Sequence, residues 1–163
     1  MRQAATELRK TLAELNFDET HAANLTVGKR LEYFRTILAP KRVGEGRHRH
    51  VYGVNGHYVV KVPADAAYRN INTAEWNIFR RRQRAGSKWS LPAEPAKCCM
   101  VKIAGTKLLV MERLSSVCTP DNKRKPRDWP KWVYRIDCCQ CGKDRDGKVV
   151  AFDYGTDGGA FKR

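Results

Sequence analysis

The sequence predicts an α+β protein, with an N-terminal helical arm followed by a five-stranded, mostly antiparallel sheet that takes one helix after its third strand. Three observations carry this. Apolar residues recur at helical spacing through the first forty positions, short β-branched runs divided by turn residues follow, and one helix-period stretch interrupts those runs between residues 72 and 86. A chain of 163 residues suits one domain with an added arm.

In the arm, Leu8, Leu12 and Leu15 recur among Glu7, Arg9, Lys10 and Glu14, and Leu31, Phe34 and Leu38 form a second stripe that Pro40 helps to end. Each stripe needs a surface to cover, either the following domain or a partner. From Lys41 the pattern gives strands at Val43, at Val51 to Val54 and at Tyr58 to Val62, with Asn55-Gly56 suited to a tight primed turn and Pro63 as a stop. The helix then starts near Asn72 or Thr73 as its cap and runs through Trp76, Ile78 and Phe79 to Gly86. Strands return at Cys99 to Ile103 and Lys107 to Met111. Ser115 to Arg127 reads as a linker or exposed loop, Asp128 as the start of a short helix carrying Trp129, Trp132, Val133 and Ile136, and Val149 to Phe152 as a final strand before a flexible tail.

The net charge is +15, from 32 Lys and Arg against 17 Asp and Glu, and the excess gathers in Lys41 to Arg49, Arg80 to Lys88 and Lys123 to Lys131. Such blocks suit an acidic protein partner or nucleic acid, although a charged surface that only keeps the chain soluble has the same composition. No apolar stretch approaches the ~20 residues of a membrane span. Met1 opens an amphipathic stretch rather than a secretory leader, and four of the six cysteines form adjacent pairs, which suits reduced thiols in a cytoplasm, the host's if the chain is viral.

The chemistry lies in residues that could hold a nucleoside triphosphate. Gly44 and Gly46 would let a hairpin approach phosphates, Lys61 within Val59-Val60-Lys61-Val62 would supply a cation, Glu75 on the apolar face of its helix would hold that cation, and Asp153 would ligate a metal. A lysine in an apolar run needs a partner or ligand if its head is buried, and Glu75 is the candidate for an ion pair. In their order these pieces resemble the protein kinase superfamily. Gly44-Glu45-Gly46 with Val51 is similar to the glycine-rich loop, Arg49 standing where the third glycine belongs. Lys61 and Glu75 match the strand lysine and helix glutamate, Met111 and Glu112 the gatekeeper and first hinge position, and Asp153-Tyr154-Gly155 the metal-binding triplet. The resemblance covers about Val43 to Gly155 and is closest to short, divergent kinase-like proteins of bacteriophages and bacterial effectors. It implies an arm at 1–40, a kinase-like N-lobe at 41–114 and a much reduced C-lobe at 115–163, with ATP and Mg²⁺ as possible ligands and Gly44, Gly46, Val51, Lys61, Glu75, Met111 and Glu112 about the nucleotide.

The catalytic loop departs from the pattern. The family's usual interval before Asp153 puts Gln140, still a possible Mg²⁺ ligand, where an asparagine belongs, and Arg135 at the position of the catalytic base. Arginine cannot accept a proton from a hydroxyl. Asp137 is the alternative base if the loop is shortened. Almost no chain follows Gly155 to seat a peptide substrate. The expectation is therefore a pseudokinase that binds and regulates a partner; the alternatives are an active small ATP-dependent kinase, or a basic nucleic-acid-binding or zinc-containing module. Cys138 and Cys141 have the gap of a zinc knuckle, but no second matching pair exists, so zinc is not expected.

Overall fold

The computed structural model describes residues 1–88, 90–91, 93–118, 129–135 and 140–153. The chain divides into two compact units, the first comprising Met1–Thr73 with Cys98–Glu112, the second Ala74–Lys97 with Arg113–Arg163.

The first unit opens with α1 (Arg2–Glu14), α2 (Glu19–Asn24) and α3 (Val27–Leu38). Asp18 caps α2 by accepting from His21 N at 2.8 Å. Arg30 closes the other end, donating to the carbonyls of Ala22, Ala23 and Leu25. Five strands follow: β1 (Arg42–Glu45), β2 (Arg49–Gly53), β3 (Tyr58–Pro63), β4 (Cys98–Ile103) and β5 (Thr106–Glu112). They form one antiparallel sheet in the order β1-β2-β3-β5-β4. The chain is thus α+β, with a five-stranded antiparallel sheet and helices.

Strand alternation divides the sheet into two faces. Tyr52, Tyr58, Val60, Val62, Val101, Ile103, Leu108 and Val110 share one face and form a single buried cluster with Leu8, Leu12, Leu31, Phe34 and Leu38 of the arm. The two leucine-rich stripes therefore cover the sheet. Phe17 stacks on Tyr33 and Phe34, with centroids 5.2 and 4.6 Å away, and Thr11 Oγ1 donates to Val54 O at 2.8 Å, fastening α1 to the loop after β2.

Two turns differ from expectation. Asn55-Gly56 does not make a two-residue primed turn, because neither residue has positive φ; instead Asn55 Oδ1 accepts from the amides of His57 and Tyr58 and shapes a longer loop. The primed geometry is at Ala104-Gly105, with φ 47° and 80°, between the paired residues Ile103 and Thr106.

The helix after β3, α4, spans Ile71–Ala85 and so passes from the first unit into the second. It begins one residue before the expected caps. In the second unit β6 (Ser115–Cys118), β7 (Cys141–Lys143) and β8 (Val149–Ala151) form an antiparallel sheet in that order. Residues 115–118 are thus a strand rather than part of a linker. Lys131–Arg135 is a 3-10 turn in place of the expected helix. Asp128, Ile136, the rest of the linker and the tail from Tyr154 lie outside the described residues. Asp144 shapes the β7–β8 turn, accepting from the amides of Asp146 and Lys148, and Arg82 of α4 grips Glu94 through bonds of 2.6 and 3.0 Å. Among the described residues, no helix is long and apolar enough to cross a membrane.

Candidate functional site

Strand register sets the candidate residues of the first unit in rows. Gly44 pairs with Val51, Val51 with Lys61, Lys61 with Leu109 and Leu109 with Met100. One step along, Gly53, Val59, Met111 and Cys98 form a parallel row. Directly opposed residues share a face, so Val51, Lys61 and Met111 lie together on the face turned away from the helical arm. Glu112, paired with Tyr58, points to the other face and is buried there.

Gly46 N donates to Arg49 O at 2.9 Å and closes the hairpin between β1 and β2. Neither Gly44 nor Gly46 has positive φ, and a Cβ on either would meet nothing closer than 3.6 Å. The fold itself does not require glycine at these positions. Arg49 is buried and belongs to the same face as Lys61, since it pairs with Pro63.

Asn72 was expected as a helix cap and does something else. It is fully buried, and its Nδ2 donates to Lys61 O at 2.9 Å and to Lys107 O at 3.0 Å, where the β3–β5 register ends. Its Oδ1 accepts from Arg49 Nη1 at 3.5 Å. One amide therefore ties the start of α4 to two strands and to the end of the glycine hairpin. The sequence signal was available only as an asparagine near a helix start, which reads equally well as a cap.

Lys61 is 3% exposed and Glu75 is fully buried in α4. They belong to different units, Lys61 to the first and Glu75 to the second. In the second unit Phe152 N donates to Gln140 O at 3.0 Å, which brings Gln140 and the neighbouring Asp153 to one end of the β7–β8 hairpin. Gln140 Oε1 is buried and accepts no hydrogen bond among the described residues. Asp137 and Cys138 lie outside the described residues, and the side chain of Arg135 likewise. Cys141 is buried on β7 opposite Cys118 of β6, and no group of three His, Cys, Asp or Glu residues able to hold a metal occurs among the described residues.

Of the histidines in the hairpin, His48 sets its ring edge against Tyr68 at 4.6 Å, and His50 is half-buried with Nδ1 3.8 Å from Glu45 Oε1. Burial pushes His50 below the ordinary imidazole value; Glu45 opposes this, and Arg35 and Arg42 add to it.

No family model matches the chain, and no curated protein or solved structure matches it.

Proposed function

We propose that this chain is a kinase-like domain that retains a nucleotide site and acts by binding and regulating a partner rather than by transferring phosphate. The observation that carries the reading is the register row Gly44, Val51, Lys61 on the sheet face opposite the arm. That row gives a nucleotide a backbone able to approach phosphate, an apolar contact for its base and a cation, all from one rigid sheet. Two further facts support it. The strand order β1-β2-β3-β5-β4 with α4 between β3 and β4 agrees with a kinase N-lobe, and glycine at positions 44 and 46 has no purpose in local packing.

Met111 against the base and Glu112 at the hinge complete the proposed nucleotide site. Gln140 and Asp153 suit a hard cation in chemistry, since Mg²⁺ takes oxygen donors and both side chains offer them at one end of the β7–β8 hairpin. Arg135 at the position of the base argues against turnover.

The partner surface is the basic half of α4. Arg80 and Arg84 of α4 are exposed, as is Lys88 in the turn just after it, whereas Arg82 is taken up by Glu94. Exposed like charges along one helix suit an acidic protein surface, and association should weaken with salt.

Calorimetry and a phosphotransfer assay on one preparation test the reading. ATP with Mg²⁺ is expected to bind, Lys61→Met to abolish binding, and phosphate transfer to stay at background. Robust transfer that Asp137→Ala removes would replace this reading with that of an active kinase. Charge reversal at Arg84 and Lys88 is expected to end capture of an acidic partner without affecting ATP binding.

A further inference from the structure

We infer that Arg80, held over the ring of Trp76, is the residue by which the α4 surface reads its partner, and that the partner presents a carboxylate-bearing segment of protein to it. The inference rests on the reading of α4 as a partner surface and adds to it a hot spot and the chemical group recognised.

The arrangement follows from helical spacing. Trp76, Arg80 and Arg84 stand four residues apart on one stripe of α4, and helical side chains lean toward the N-terminus, so each covers the residue one turn earlier. Arg80 accordingly sets its guanidinium carbon 5.8 Å from the centre of the Trp76 ring, and that half-buried ring stacks in turn on buried Phe79 at 5.9 Å. A guanidinium over an aromatic face keeps N–H donors for a carboxylate, which it meets bidentately. Arg80 is exposed and makes no hydrogen bond or ion pair among the described residues.

Nothing within the helix answers this charge. From Ile71 to Lys88 the one acidic residue is Glu75, which is fully buried, and the nearby Glu94 is taken by Arg82. Arg80 and Arg84 are therefore like charges one turn apart, a pairing that costs helix stability and that an acidic partner relieves. Single-stranded nucleic acid suits the surface less well, because its bases need exposed rings on which to stack. The exposed residues of α4 are Ala74, Asn77, Arg80, Arg81, Gln83 and Arg84, and the Trp76 ring is engaged by Phe79 and Arg80. Tryptophan and arginine are, by contrast, the residue types in which protein interfaces concentrate their binding energy.

Fluorescence anisotropy of the full chain with a labelled poly-L-glutamate peptide and a labelled oligothymidylate, each of about 20 units and so closely matched in charge, tests the inference. The peptide is expected to bind more tightly. Arg80→Lys, which keeps the charge but not the planar fork, is expected to weaken the peptide by about threefold or more; Trp76→Leu should do the same, and Trp76→Phe should stay within about twofold of wild type. Arg2→Lys, in the other unit, should change nothing. If Arg80→Lys keeps wild-type affinity for the peptide, the inference falls, and the α4 reading stands provided that reversal of Arg84 and Lys88 still abolishes binding. That variant changes an exposed side chain and does not depend on how the fold tolerates a change at Trp76. Equal loss in Trp76→Phe and Trp76→Leu also overturns the inference, since a ring is then not what holds Arg80. Tighter binding of the oligothymidylate overturns it in favour of nucleic acid. Peptide binding that survives reversal of both Arg84 and Lys88, or no binding of either probe, overturns the inference and the α4 reading together.

Discussion

Removing the Asn72 amide should cost the first unit far more than loss of a helix cap. Asn72→Ala deletes two hydrogen bonds of 2.9 and 3.0 Å to the carbonyls of Lys61 and Lys107 at a fully buried position. Each such bond contributes about 1 kcal/mol net, and a buried acceptor left without its donor costs about 1–3 kcal/mol. The contact with Arg49 at 3.5 Å is too long to add much. Carbonyls tolerate partial satisfaction better than amides do, so the expected loss is about 3 kcal/mol. For a chain of this size that lowers the midpoint of thermal unfolding by about 6–12 °C. Urea unfolding followed by circular dichroism would give the difference directly, from a shift in midpoint at unchanged slope. Asn72→Asp decides between the two roles. As a cap, aspartate is as good as asparagine and the change should be neutral. As a clasp, aspartate lacks both donors and sets its charge against two carbonyls, so about 2 kcal/mol should still be lost even if Arg49 binds it more tightly. An Asn72→Asp variant within about 0.5 kcal/mol of wild type would refute the clasp.

The other expectations concern the turns and one ion pair. Ala104 sits at φ 47°, so Ala104→Gly should stabilise by about 0.5–1 kcal/mol in the same unfolding assay. Gly105→Ala should destabilise by about 1–2 kcal/mol, because φ is 80° and the new Cβ would lie 2.8 Å from Arg30 Nη1. In the second unit, Gly142→Ala would set a Cβ 2.8 Å from that of Leu114 and should cost about 1–3 kcal/mol. Burial pushes the Glu94 carboxyl up, but its bonds to Arg82 and the charge of Lys148 outweigh this and hold it below its ordinary value. Its contribution is therefore fully present above about pH 4.5 and is lost as pH falls through the lowered value; Glu94→Gln should flatten the acid limb of a stability profile. A limb unchanged by that substitution would show that other carboxylates set it.

The sequence by itself determined the class of nearly every element in the first unit. Leu8 with Leu12, and Leu31 with Phe34 and Leu38, announce helices because only a 3.6-residue period puts them on one stripe, and the runs at Val59 to Val62 and Leu108 to Val110 are too short and too β-branched or apolar for another reading. Local chemistry is enough for such assignments, since each depends on neighbours within a few residues. The row of Gly44, Val51 and Lys61 was legible only as an order of motifs, because register depends on which strands pair and where each bulges. Asn72 shows the limit most clearly. Its type fits a cap at the start of α4, and nothing local distinguishes a side chain that bonds its own helix from one that reaches two strands eleven and thirty-five residues away. The same holds for the primed turn, which fell at Ala104-Gly105 rather than at Asn55-Gly56 because strand register, not turn preference, decided how many residues each loop had to span. Tertiary structure settled these positions because a buried carbonyl must find a donor wherever one lies, and a hairpin must close where its strands stop pairing.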